Sequence, residues 1–338
     1  MFYSLKKKVM ISAINKRNKD RTFSYQKAEG YSINGIEDPL INNSYYFSAH
    51  NKEISIFARL GQRVNKDETW LVIYHNGKSY CLDKQEYPAR EGPIKVVKED
   101  KSWKLTFKDR IGEVEVELDA TFVSEASPID FSSDMPSIRM AVAMANEKWK
   151  RDFFSSLDKI QGQVHYEQIG TLKGSFRIDR ETMPFSLPCV RDHSFGKREW
   201  DYMNNHLWLM GVEEGTQFNY SLVSYPVMSI LEVGNYLHNG KQRFMLSSDL
   251  NLSVVATGKV PESLTLKISY DDKSEMEVKA KVIKSFPYSF ENGNYLLYEN
   301  IAEFEMDGLS FRGILEIGYN KDSGRYFNAR PLERLKRK

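Results

Sequence analysis

The chain has 338 residues, 41% of them hydrophobic and 28% charged, ordinary values for a folded globular protein. Lys and Arg total 48 against 46 Asp and Glu. A charge so balanced argues against a nucleic-acid binder, which carries a basic excess. No run approaches the ~20 apolar residues that span a bilayer, and two cysteines, Cys81 and Cys189, make no disulfide framework and fit a reducing, cytoplasmic compartment.

Taken in chain order, Lys6, Lys7, Lys8, Lys16, Arg17 and Lys19 all precede the first acid, Asp20. Without the apolar centre of a signal peptide, residues 1–22 read as a frayed basic arm, with weak membrane-surface contact as an alternative use. Asn76-Gly77 lies between two aromatic-rich runs and predicts a hairpin. Trp103, Leu105 and Phe107 alternate with polar residues, as do Val114, Val116 and Leu118 after a turn, predicting a second hairpin with one dry face. From 146 to 160 the rhythm changes. Trp149, Phe153, Leu157 and Ile160 recur at helical spacing, and Asn146 is a suitable N-cap, so one amphipathic helix packed on the core is expected there. Leu264 to Tyr270 and Met276 to Val282 alternate again, and Asp307-Gly308 marks a last hairpin.

Many short strands with turns between them imply barrels or sandwiches. The length implies two units. The expected fold is therefore all-β: two barrels or half-barrels over 23–180 and 181–330, a helix near 146–160, and a basic tail over 331–338.

Residues 188–225 carry the most information. Arg191-Asp192-His193, between Pro188 and Gly196, predicts a tight turn presenting three titratable groups. Trp200, Tyr202, Asn204, Asn205 and His206 follow. The strand beginning at His206 is bulky on both faces, with His206, Trp208, Met210 and Val212 on one and Leu207 and Leu209 on the other. Such a strand is buried on both sides, or backs a ligand cavity. Phe218 to Tyr225, including Tyr220, forms the next strand.

Arg191-Asp192-His193-Ser194-Phe195-Gly196, then Arg198 and Trp200, resembles the signature of the AttH-like proteins, a group that includes carotenoid 1,2-hydratases. Tyr45-Tyr46-Phe47 through Arg59-Leu60-Gly61-Gln62-Arg63, and Tyr166-Glu167-Gln168 with Gly170 and Gly174, are similar to two further stretches of that group. The likeness runs from about residue 40 to about 320. Asn204-Asn205-His206 also resembles animal proteins in which such a module precedes a phosphoenolpyruvate-synthase-like region, which is absent here. Phe195 stands where the wider group usually has Trp. The resemblance implies two lipocalin-like domains, a pocket near the 191–196 segment, and activity on terpenoid- or polyketide-like molecules.

The chemistry expected of such a pocket is cofactor-free hydration, cyclisation or isomerisation, which begins with protonation of an alkene carbon. Asp192 is the candidate acid, since burial raises a carboxyl pKa, and His193 the group that orients or reprotonates it. Trp200, Trp208 and Tyr220 are candidate aromatic walls that steady a carbocation, with Tyr202, Asn205 and His206 as further ligand contacts. Alternatively Asp192 and His193 merely pin a turn, with Arg191 or Arg198 pairing Asp192. Glu167 and Glu316 stand in apolar strands and are either paired to arginines or functional. No metal is expected, because Cys189, His193 and His206 match no zinc spacing. Nor is a cofactor, since no phosphate loop or dinucleotide motif is present. The partner is thus a small apolar ligand; a non-catalytic carrier or sensor of such a ligand is the alternative.

Overall fold

The computed structural model describes residues 2–20, 24–149, 153, 163–198, 200, 203–225, 230–255 and 257–321. Among them, strands dominate. Ten form the first sheet: β1 (Ile41–His50), β2 (Ile54–Arg63), β3 (Lys66–His75), β4 (Lys78–Pro88), β5 (Ile94–Glu99), β6 (Ser102–Ile111), β7 (Val114–Val123), β8 (Ile129–Asp130), β9 (Val164–Ile178) and β10 (Glu181–Lys197). Eight more close a barrel: β11 (Asn205–Glu213), β12 (Thr216–Ser224), β13 (Leu231–His238), β14 (Lys241–Ser248), β15 (Ser263–Tyr270), β16 (Glu275–Phe290), β17 (Tyr295–Met306) and β18 (Leu309–Asn320).

The turns follow local chemistry. At Asn76-Gly77 and Asp307-Gly308 both residues have positive φ, the conformation a two-residue hairpin loop needs and that Asn, Asp and Gly tolerate best. The first sheet runs β4-β3-β2-β1-β10-β9-β7-β6-β5, with β8 attached to β9. It curls until β5 and β6 come back against β2 and β4, wrapping a core that includes Phe47, Leu71, Leu105, Phe122 and Leu187. The second unit is an up-and-down meander closed by β11 pairing β18. Its interior is filled by Leu209, Phe218, Tyr220, Tyr236, Tyr270, Phe304 and Leu315, as an eight-stranded barrel of large side chains allows.

The outer faces of the two units form a third core, with Tyr46, Phe57, Trp70 and Val190 from the first sheet against Met210, Val212, Phe286, Tyr288 and Ile314 from the barrel. The alternation predicted for β11 is the reason: Leu207 and Leu209 face into the barrel while Met210 and Val212 face the first sheet.

Three expectations are corrected. Over its described residues 2–20 the basic N-terminal segment is not a frayed arm: α1 (Phe2–Asp20) is a helix, because Met10 and Ile14, one turn apart, pack on Ala141, Ala143 and Met144 of α3 (Ser137–Asn146). Its Phe2, Leu5 and Val9 remain exposed. Asn146 ends a helix rather than capping one. The Ala- and Met-rich stretch before it has the stronger helix propensity, Glu147 to Trp149 are not helical, and the expected helix otherwise falls outside the described residues except for the buried, helical Phe153. Finally, the sheets exchange after Lys197 rather than at 180, because β10 pairs with both β1 and β9. No helix among the described residues is long and apolar enough to cross a membrane.

Candidate functional site

The predicted turn at 191–193 is the body of a strand. β10 runs from Glu181 to Lys197, and its period of two sends Arg191 and His193 to one face and Asp192 and Ser194 to the other.

On the inner face Arg191 is fully buried. Its Nη2 donates to Glu29 Oε1 at 2.6 Å and reaches Tyr25 Oη and Gln168 Oε1 at 3.2 Å, with its guanidinium 4.7 Å from the Trp103 ring centroid. Glu29 and Tyr25 come from α2 (Tyr25–Glu29), which lies against the first unit. Tyr166 O–H donates to Glu29 Oε1 (2.6 Å) and meets His193 Nδ1 (2.5 Å), while His193 Nε2 lies 2.7 Å from the Asn43 side-chain amide. Burial, aided by Arg191, pushes the His193 pKa well down, so His193 is neutral. It neither touches nor orients Asp192.

On the outer face lies a cavity of about 370 Å³ between the two units. Asp192 and Ser194 of β10, His165 of β9, Tyr46, Arg59 and Trp70 line one wall. His206 and Trp208 of β11 and Glu316 of β18 line the other, with Arg198 and Trp200 from the connection between the units.

Each wall holds a histidine–carboxylate pair. On the first, His165 Nε2 contacts Asp192 Oδ2. Burial works against the charged imidazole, but the Asp192 carboxylate outweighs it and the His165 pKa is raised. Behind them Glu167, directly across the ladder from Asp192, is wholly buried. Its oxygens accept from Gln217 Nε2 (2.7 Å) and Asn219 Nδ2 (2.5 Å) of β12. Burial carries its pKa up to about 8. On the second wall, His206 Nε2 stands 2.5 Å from Glu316 Oε1 and Nδ1 stands 2.5 Å from Tyr295 Oη. Glu299 lies opposite Glu316 in the β17–β18 ladder and accepts from Tyr46 O–H at 2.7 Å. Burial and the facing Glu316 push the Glu299 pKa well up. For Glu316 burial acts upward too, but His206 prevails and its pKa is lowered. His206 thus favours the ionised form at Glu316, which lines the cavity, while burial and mutual repulsion favour the protonated form at Glu299 behind it.

Residues 34–321 match a family described as a domain of unknown function, DUF7064. The chain belongs to the DUF7064 family. No curated protein matches its sequence. Solved structures with the same two-unit fold include a putative AttH from Nitrosomonas europaea (9% identity, TM-score 0.61, 89% of this chain and 97% of that one). Kievitone hydratase from Nectria haematococca follows at 12% identity, TM-score 0.56, 87% and 92%. CghA, in a structure with Sch210972, gives 10%, 0.52, 84% and 89%. The DUF7064 chain thus has the AttH-like, lipocalin-related fold that its 191–200 segment resembles. At these identities the likeness is one of fold.

Within this DUF7064 protein the cavity brings together Asp192, Arg198, Trp200, His206 and Trp208, with Glu167 just behind. It does not include Arg191 and His193, which face the first core, or Tyr220, which fills the barrel and donates to Glu232 at 2.7 Å. Asn205 stands beside His206 but does not line the cavity, and Tyr202 lies outside the described residues. The two glutamates singled out in apolar strands have hydrogen-bond partners other than arginine: amides for Glu167, His206 for Glu316. Cys189, His193 and His206 sit in three separate places: the first core, the inner network and the cavity. His165, Glu167 and Asp192 do place three ligand atoms within 4.8 Å of one another, but both Glu167 oxygens are already taken by amide donors. Residues that sequence reasoning passed over are His165, Arg59, Trp70, Tyr46 and Glu299.

Glu167 makes stability fall with pH. Its carboxyl group binds a proton in the folded protein up to about pH 8, whereas in the unfolded chain it ionises near 4.5. Between those values the folded state holds the extra proton, so stability is lost as pH rises through that window. Glu167→Gln removes this term, and the flanking amides can turn to suit the new side chain. Urea denaturation at pH 6 and 9 should show wild type losing up to about 2.7 kcal/mol more than the variant. Parallel losses would show that Glu167 is ionised throughout.

Proposed function

We propose that the chain binds a small unsaturated molecule, terpenoid- or polyketide-like, between its two units and catalyses a cofactor-free hydration, cyclisation or isomerisation. The observation that supports this most is the pair of histidine–carboxylate couples on opposite walls of one cavity. Hydration needs a proton delivered to one alkene carbon and a water activated at the other. The His165–Asp192 couple supplies the proton, since His165 is its accessible member. The Glu316–His206 couple accepts the proton that the water releases, after which exchange with solvent resets both. Trp208, whose ring lies 6.1 Å from the His165 ring, offers a face to developing positive charge. Trp200, favoured for that role by sequence, is already engaged by two guanidinium groups and by Phe290. That one of the similar structures is a hydratase is consistent with this reading.

Proton transfer to carbon leaves an isotopic record. Incubating the protein in D₂O with a panel of alkenyl and α,β-unsaturated compounds should put deuterium on carbon in at least one of them, read by mass spectrometry and NMR. Tight retention of a compound with no carbon-bound deuterium would overturn the catalytic reading and leave a carrier.

A further inference from the structure

Arg59 is a buried cation with donors to spare. It is 4% exposed, and neither Nη1 nor Nη2 has a hydrogen-bond partner. Its ion-pair partner Glu68 stands 3.7 Å from Nη1, too far for a hydrogen bond, and is drawn away by Arg63 at 3.2 Å and Lys66 at 3.5 Å. Burying charged donors without acceptors is costly, yet the strand is shaped to hold this one. The guanidinium lies over Gly61, where a Cβ would come within 2.6 Å of Nη1. It is also held 4.7 Å from the Trp70 centroid and 5.6 Å from that of Trp200. Arg198 approaches the same Trp200 ring at 5.3 Å and donates to Ser194 Oγ at 3.2 Å. The indole N–H groups of Trp200 and Trp208 are likewise buried without acceptors.

The charges on the cavity wall do not cancel. Asp192 and Glu316 each have a histidine, Lys197 is paired with Asp38 at 3.3 Å, and Arg59 and Arg198 remain on the wall without a carboxylate within hydrogen-bond reach among the described residues. The missing component is an acceptor, negatively charged, and small enough to enter a cavity of about 370 Å³.

We propose that Arg59 and Arg198, braced on Trp200, form an anchor for the carboxylate of an otherwise apolar ligand, whose body extends along Trp208 toward the two histidine–carboxylate couples. Two guanidinium forks match a carboxylate better than any neutral group. This rests on the cavity being the ligand site proposed above, and it changes the ligand class from a plain hydrocarbon to an amphipathic acid.

Titration calorimetry with trans-cinnamate and with cinnamamide, which share a shape but not a charge, tests it. Wild type should bind cinnamate at least tenfold more tightly than the amide. Arg59→Gln should remove that preference by weakening cinnamate alone, and Arg198→Gln should reduce it. The wild-type comparison needs no variant, and Arg198→Gln carries the second arm where Arg59→Gln does not fold. Equal affinities, binding of neither compound, or a preference that survives in the variants overturns the anchor. In wild type, a cinnamate preference with no deuterium transfer to any compound would sink the catalytic reading and leave the anchor. Deuterium transfer with no preference would do the reverse.

Discussion

Asp192→Asn is expected to lower turnover of any substrate revealed by deuterium transfer by about 10²–10⁴-fold, the usual worth of a positioned acid–base group. The substitution keeps the volume of the side chain and an oxygen that can accept from His165. What it removes is the negative charge. Burial already disfavours the His165 imidazolium, and Asp192 is the largest influence holding its pKa up. Without that carboxylate the His165 pKa falls, and the couple no longer stores a transferable proton. Two readings should move together: turnover falls, and the His165 titration followed by NMR shifts to lower pH. Melting temperature should hardly change, because Asp192 faces the cavity and not the first core. A sharp loss of stability with unaltered titration of His165 would assign Asp192 to holding the strand instead.

Arg191→Met should destabilise the protein by about 3–5 kcal/mol, the cost of breaking a buried ion pair from one side. Methionine fills the space beside Trp103 but leaves Glu29 Oε1 with only Tyr166 O–H as donor. Lys98, 3.8 Å from Glu29 Oε2, is partly exposed and too distant to replace a 2.6 Å charge-assisted bond. The double variant Arg191→Met/Glu29→Gln should recover most of the loss, since the uncompensated charge goes with the glutamate. Denaturation midpoints of the four proteins in the cycle measure this. Additive losses would mean that Arg191 acts through packing on Trp103 rather than through Glu29.

Much of this architecture is legible in the sequence. Alternation over 103–118 and 264–282, with Asn76-Gly77 and Asp307-Gly308, marks hairpins that the structure contains at those places. The site was half readable. Asp307-Gly308 fixes a register that puts Glu299 opposite Glu316, so the carboxyl pair was available to anyone who counted back from the turn. The β9–β10 hairpin was harder. Its turn is Asp179-Arg180, without glycine, and carries a weaker signal. Once that turn is placed, Asp192 falls opposite Glu167 and Ser194 opposite His165. Missing it made 191–193 look like a turn, which grouped Asp192 with His193 when pleating separates them. Arg59 and Trp70 stand opposite each other in the β2–β3 hairpin, but Trp200 joins them from a distant segment, and no local pattern announces that.

Lipocalins keep their cargo in the bore of a barrel, so altering the cargo means rebuilding the barrel's lining. Here the bore of the closed barrel is occupied by the chain's own side chains, and the cavity lies in the seam. Each shell can retain its internal jigsaw while a lineage trades residues along the joint. Small slips of one shell on the other would also reset the spacing of the two histidine–carboxylate couples without touching either.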